Sequence, residues 1–296
     1  KGTFVSGSRS WRNVGARISF YPYQGNSPNK DYDLLVGLHF QTTCNLLKQN
    51  GYDISIISDI ERNDPAILKR TLSSSDALIL NKEFVTPKTL PLLCSYPCPI
   101  ILIDSPFVSD NPFHQVVADL FPGFRKAADY FAELGVREVV IAGIANTETH
   151  QFRRRLFRRI MSVFHPEIAL CEDLTHEYLL NNYGEECGRR IARNYLELPR
   201  RPGIFSVSDY ISFGMLDVLE GAGLCAGKDF KLISFDNLEI RGIGPYPEPR
   251  LTTIEYPYDS LGRELIAMLS ELLAARTANT RIIRTPADNL IIRSTT

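Results

Sequence analysis

The chain has 296 residues, 44% of them hydrophobic and 23% charged, enough apolar side chain for a sizeable core and too little polarity for a disordered chain. Its 33 Lys plus Arg against 34 Asp plus Glu leave a formal net charge of −1, so no whole-surface field exists for gripping nucleic acid or an anionic membrane. The longest apolar runs, such as Ile100 to Ile103 and Val139 to Ala142, fall far short of the roughly 20 residues a membrane span needs, and the expectation is a soluble chain.

In chain order, Ala16–Tyr23 reads as a strand, Asp31–Asn50 as a helix ended by a left-handed cap at Gly51, and Tyr52–Ser58 as a second strand. Asp64-Pro65 and Thr86-Pro87 each place a capping oxygen before a proline at a first helical position. Between and after them lie strands Ala77–Leu80 and Ile100–Asp104. Helix Pro122–Leu134 stops at Gly135, strand Glu138–Ala142 follows, and Phe152, Leu156, Ile160 and Phe164 form one apolar stripe on a helix ended by His165-Pro166. Strands Ile168–Glu172, Ile204–Ser208, Leu232–Asp236 and Leu251–Glu255 then alternate with helices Asp209–Gly221 and Ser260–Ala275. Strands apolar on both faces, alternating with helices, are the mark of parallel sheets covered on both sides. With no repeat and no low-complexity linker, the expected architecture is α/β: two lobes joined by short crossings, with function in the loops after the strands' carboxyl ends.

Few catalytic motifs survive inspection. Gly221-Ala-Gly223-Leu-Cys-Ala226 has dinucleotide-fingerprint spacing but follows a helix, where the fingerprint needs a strand before it. There is no Gly-x-Ser-x-Gly elbow, phosphate loop or His-Glu-x-x-His helix, and the five histidines are scattered. No catalytic residue, no metal and no cofactor is therefore expected. Cys44, Cys94, Cys98, Cys171, Cys187 and Cys225 lack Cys-x-x-Cys spacing and read as reduced core thiols of a cytoplasmic protein.

What remains is a kit for holding a small polar ring. Arg153 sits in the first turns after a strand, where a guanidinium can fork onto ligand oxygens, whereas Arg154, Arg155, Arg158 and Arg159 read as a solvated helix face. Asp104 and Asp236 end apolar strands, each as a loop anchor or an acceptor for ligand hydroxyls. Tyr21, Tyr23, Tyr32, Tyr183, Tyr256 and Tyr258 gather beside strand and helix ends, either plugging a lobe's edge or stacking on a ligand. Nothing in this set activates a nucleophile.

From about Ala16 to Thr295 the order of motifs resembles the effector domain of the lactose-repressor (LacI/GalR) family, related to type I periplasmic sugar-binding proteins. The resemblance is carried by Val117-Ala-Asp119, Gly123, Ala127-Ala128, Leu134-Gly135 and Val139-Val140-Ile141; by Ser208-Asp209, Gly214, Leu219, Gly223-Leu224 and Leu232-Ile233-Ser234-Phe235-Asp236-Asn237; and by Leu251-Thr-Thr-Ile254, Pro257, Leu261-Gly262 and Leu290-Ile-Ile-Arg-Ser-Thr295. It implies two Rossmann-like lobes with a ligand cleft between them, made of 16–117 plus 257–286 and of 118–256 plus 287–296. It also implies that Arg153, four before Phe157, and Asp236 contact the effector, with Leu156 and Ser234 standing where the family has glycine. Tyr183, five before Gly188, and Tyr258, after the Leu-Thr-Thr motif, fall at aromatic positions of the family's pocket. Two departures point to an unusual effector: Ser208 where the family often has Asn, and Ser27-Pro-Asn-Lys-Asp-Tyr32 where it has Asn-Pro-aromatic-aromatic.

Lys1-Gly-Thr-Phe-Val5 resembles the closing strand of the winged helix in GntR-type DNA-binding domains, so 1–15 reads as the end of a DNA reader and its linker, and the chain, opening without Met, as a fragment. The resemblance then implies the effector-binding and dimerisation domain of a transcription regulator, binding a sugar or sugar derivative, with operator DNA reached only through the missing winged helix. By resemblance, helices Asp31–Asn50 and Asp209–Gly221 are the faces of a homodimer. The rival readings are a sugar-binding protein of a transporter or chemotaxis system outside the cytoplasm, and an enzyme using Asp104, Asp236 and Arg153 on a sugar.

Overall fold

A computed structural model of the chain describes residues 15–22, 30–103, 112–177, 184–275 and 279–296, with the side chains of 30–39 and 275 set aside. It divides into two compact α/β units: one holds the described residues before Gly25 with Leu35–Val117 and Tyr258–Arg284, the other Ala118–Pro257 and Thr285–Thr296.

The first unit is built on a six-stranded sheet. Strands β1 (Arg17–Tyr21), β2 (Asp53–Ile56), β3 (Ala77–Asn81), β4 (Ile100–Ile103), β5 (His114–Asp119) and β12 (Ile282–Pro286) take the order β12-β5-β4-β3-β1-β2. The ladders from β2 through β5 are parallel, in the register Ile18↔Ala77 and Leu78↔Ile100. β3 and β4 are buried at every position, which is why they read as uninterrupted apolar runs. Five helices accompany this sheet: α1 (Lys30–Gln49), α2 (Asp59–Asn63), α3 (Pro65–Ser73), α4 (Leu90–Ser95) and α9 (Tyr258–Ala275). Asp64 caps α3 as its sequence predicts, its carboxylate accepting from the Ala66 and Ile67 amides ahead of Pro65. The second proline signal is corrected. Thr86 and Thr89 bond to each other's backbone amides and hold Pro87 in a turn, so α4 begins only at Leu90.

The second unit has a seven-stranded sheet. β6 (Glu138–Ile144), β7 (Ala169–Leu170), β8 (Leu174–His176), β9 (Gly203–Ser206), β10 (Leu232–Asp236), β11 (Thr252–Glu255) and β13 (Leu290–Ile291) take the order β13-β11-β10-β9-β6-β7, with β8 also on β6. All pairs are parallel except β11 with β13. Helices α5 (Phe121–Glu133), α6 (Glu148–Phe164), α7 (Glu185–Leu196) and α8 (Asp209–Gly221) cover it. The core here is aromatic: the Phe157 ring stacks on Phe205 at 3.6 Å between centroids, and Phe124 meets Phe157, Phe205 and Phe235 edge-on.

α7 and α8 cross at backbone contact, and the sequence allows it with two glycines. A Cβ at Gly188 would lie 2.1 Å from the Ile211 carbonyl oxygen, and one at Gly214 1.8 Å from that of Glu185. This packing corrects one expectation. Asp209 through Leu216 are buried on every face, leaving only the last turn of α8, from Asp217, to offer a partner. A second correction concerns the cysteines. Cys44 and Cys187 are buried core thiols, but Cys94 and Cys225 are exposed.

Candidate functional site

Register places the site. β6, β9 and β10 run side by side and parallel, so Ile144, Ser206 and Asp236 end at one edge of the sheet, and α6 and α8 start from that edge. Arg153, in the second turn of α6, reaches across it: its Nη1 donates to the Val207 carbonyl at 2.8 Å and to Asp236 Oδ1 at 3.2 Å. The guanidinium lies over the Phe235 ring, 4.3 Å from its centroid. Both partners are nearly closed off from water, with side chains 11% and 5% exposed. Yet Arg153 Nε is buried without a hydrogen-bond partner, and an orphan donor of this kind is uncommon in a folded interior.

Asp236 is held from the other side by α8. Its Oδ2 accepts from the Ser208 hydroxyl at 2.9 Å, and the carboxylate also accepts from the Asp209 amide, so it sits on the positive end of the helix. Burial pushes this carboxyl above its ordinary value, while Arg153, Ser208 and the Asp209 amide pull it back. The backbone is strained here, with φ of 125° at Asp236 and 57° at Asn237, and strain of this sort gathers at functional sites. Behind Asp236 lies Asp209, fully buried, its oxygens bonded to the Leu238 amide at 2.7 Å and the Thr253 hydroxyl at 2.9 Å. Burial first, and the Asp236 charge second, raise its carboxyl.

One turn before Arg153, His150 turns back to accept the Ile144 amide on Nδ1 at 3.2 Å. Burial, with Arg153 and Arg154 adding to it, depresses His150 to about 3, so the ring is a neutral structural plug.

Of the residues that sequence points to, Arg153, Asp236 and Ser208 meet in one hydrogen-bonded cluster. Tyr256 adjoins it, its ring edge-on to Phe235 and its amide 3.5 Å from the Asp236 carbonyl. Ser208 faces Asp236, so its shortness relative to Asn is matched to the carboxylate it holds. Tyr258 opens α9 in the other unit, buried, and lines a small cavity with Thr42, Thr43 and Leu261. Tyr21, in that same unit, is buried and donates to Asp59 at 2.6 Å. Asp104, Tyr23, Tyr183 and the segments 1–14 and 27–29 lie outside the described residues, and Tyr32 lies in α1 among the side chains set aside. The solvated-face reading fails for Arg154, whose side chain is largely closed off against Asp173; Arg158 also pairs with Asp173 but stays 40% exposed. Arg155 and Arg159 are exposed. Asp209, buried behind Asp236, is a carboxylate to which sequence reasoning gave no role, although the Ser208-Asp209 motif contains it. Among the described residues there is no His/Cys/Asp/Glu group able to hold a metal and no helix long and apolar enough to cross a membrane.

Comparison with known proteins identifies the fold. Residues 128–296 match the model of the periplasmic binding protein-like domain. The chain is homologous to the HTH-type transcriptional repressor PurR of Escherichia coli, 28% identical over 247 residues, which is 82% of this chain and 65% of the repressor. It thus spans about two thirds of the length of the curated relatives it matches, just short of that fraction. Among solved structures, a LacI family transcriptional regulator from Enterococcus faecium with bound ribose superposes with a TM-score of 0.72 at 20% identity, covering 95% of this chain and 98% of the regulator. A second, from Enterococcus faecalis and also with bound ribose, gives 0.70 at 19% identity over 95% and 98%. The fold is therefore that of these LacI family regulators and of periplasmic binding protein-like domains.

Proposed function

This chain belongs to the family of periplasmic binding protein-like domains, and from that premise we propose that it is the effector-binding and dimerisation part of a cytoplasmic LacI-type transcription regulator that binds a small polar molecule, a sugar or sugar derivative. The observation that carries the reading is the buried Arg153–Asp236 pair with its orphan Nε. A guanidinium with an unsatisfied donor and a carboxylate with lone pairs beside it offer a hydroxylated ligand both kinds of partner. The ring of Phe235 behind Arg153 fixes the guanidinium plane. Homology to a repressor favours the regulator over a transport protein, and the carriage of ribose by two structural relatives favours a sugar. DNA is contacted through an N-terminal reader, for which the Lys1–Val5 resemblance suggests a GntR type. The chain is no enzyme in this reading: Ser208 is bonded to Asp236, and His150, which could serve as a base, spends its Nδ1 on a backbone amide.

A thermal-shift screen against pentoses, hexoses, uronic acids and sugar phosphates tests the effector class, because a ligand of the folded state raises the melting point by mass action. Arg153→Ala is expected to cost the effector about 30-fold or more in affinity, with assembly state unchanged. Retained affinity would remove Arg153 from the pocket; a panel without a single shift would remove sugars from the effector class.

A further inference from the structure

α6 ends in a histidine with a carboxylate against each ring nitrogen. His165 is the C-cap of the helix, its amide donating to the Met161 carbonyl, and its side chain is only 12% exposed. Nε2 lies 2.6 Å from Asp129 Oδ1, on α5, and Nδ1 lies 3.0 Å from Glu167 Oε1, on the turn that leads to β7. A neutral imidazole has one N–H and one lone pair. In either tautomer one nitrogen would therefore turn a lone pair on a carboxylate oxygen at hydrogen-bonding distance. The imidazolium donates at both.

The surroundings make the same demand. Arg125 Nε donates at 2.7 Å to Asp129 Oδ1, the oxygen that also faces the ring. With the ring protonated, the charges of His165 and Arg125 balance those of Asp129 and Glu167; with the ring neutral, one negative charge is left over. α6 has neither Lys nor Arg in its last turn, so a cation on His165 is what answers the negative end of the helix dipole. The remaining charged groups on the elements packed here are, on α5, Glu133 and Lys126, which pairs with Asp288. Further back on α6, Arg158 pairs with Asp173 and Arg159 is exposed. Beside β7 stand Arg137 and Glu138, the latter paired with Arg200. Burial opposes the proton, but the bonds to Asp129 and Glu167 outweigh it and raise the ring's titration, while both carboxyls are lowered.

More than the ring is held this way. The Arg125 guanidinium lies over the Phe164 ring, 3.7 Å from its centroid, and Phe164 meets Phe121 edge-on, so Asp129 also positions the arginine that closes over the last residue of α6. The Ile168 amide donates to the His165 carbonyl, which hangs the turn into β7 on the same residue.

We propose that His165 stands as an imidazolium at neutral pH and is a proton-operated clip, fastening the end of α6 to α5 and to the turn before β7 and letting go as pH rises. It works on the helix whose second turn carries Arg153, with or without an effector.

The intact chain alone tests it. With ring-labelled histidine, NMR is expected to show the His165 signal, recognised by its loss in His165→Gln, titrating about half a unit or more above the ordinary value of about 6.5. Asp129→Asn, which removes one facing charge, is expected to bring that titration down by about half a unit or more. Glu167→Gln, at an exposed position where folding is not at risk, is expected to lower it by less. The sign of the linkage gives a second readout. A histidine raised by folding contributes stability that is full below its unfolded value and is lost as pH rises through its folded value. The Tm advantage of the unsubstituted chain over His165→Gln is therefore expected to be greater at about pH 5.5 than at about pH 9, by about 2 °C or more; a merely structural ring gives the same advantage at both. A His165 signal titrating at or below about 6.5, one unmoved by both carboxamide variants, or a Tm difference independent of pH overturns the proposal.

Discussion

At the scale of single residues the site is a matter of which polar groups have partners. Ser208 stands at the N-cap position of α8, but its hydroxyl makes no capping bond and is spent on Asp236. Its removal leaves a buried carboxylate short of a donor, which costs about 1.5–3 kcal/mol. Ser208→Ala is accordingly expected to lose that much stability in urea denaturation and to bind effector more weakly, because Asp236 no longer has two fixed oxygens. Ser208→Thr, which keeps the hydroxyl, is the control; equal losses in both would deny the hydroxyl its role. Arg153 and Asp236 were legible in the sequence, since a strand that ends in a carboxylate and a helix that begins near an arginine are local patterns. Asp209 was not. Its chemistry comes from being fully buried beside Asp236, and burial of a helix's first residue depends on what the rest of the chain lays over it.

At the scale of elements, legibility follows length and apolarity. β3, β4 and β10 are continuous apolar runs and declare themselves. β8 is three residues long, and β5 is apolar only over Val116 to Ala118; the ladders that make them strands are contributed by β6 and β4. The crossing of α7 on α8 is a similar case, because a glycine within a helix ordinarily marks weakness, and its worth appears only when a neighbouring backbone fills the missing side chain's place. At Gly214 that neighbour is Glu185's carbonyl carbon and oxygen and the Arg189 nitrogen, none of which can swing aside. Alanine there gains up to about 1 kcal/mol in helix propensity but forces the helices apart, at about 1–3 kcal/mol or more. Gly214→Ala is expected to be destabilised on balance, by about 2 kcal/mol, and Gly221→Ala, whose Cβ meets nothing within 4 Å, to be neutral or slightly stabilised. Calorimetry of the two variants reads the contrast directly, and a stabilised Gly214→Ala would show that α7 and α8 are not held at backbone contact.

At the scale of the whole molecule, the proposed regulator reading implies a division of labour between sensing and DNA contact. An effector changes DNA affinity only by binding two states of the protein unequally, a coupling of typically 1–3 kcal/mol, and sensing therefore needs no DNA contact of its own. The charges are arranged accordingly. Net charge is −1, and many arginines are committed within the fold: Arg154 and Arg158 to Asp173, Arg189 to Glu185 and Asp217, Arg250 to Glu220, Arg281 to Glu271 and Arg293 to Glu239. Each carries its counter-charge within the fold and releases little salt on meeting a phosphate, and counterion release is what supplies non-specific affinity for duplex DNA. The 296-residue chain by itself is thus expected to bind a labelled duplex no more tightly than roughly 10⁻⁴ M at physiological salt, with little change in anisotropy titrations when the salt is lowered threefold. Sequence-specific binding by this chain alone, or a steep salt dependence, would put a DNA-reading surface on the sensor itself and end the division of labour.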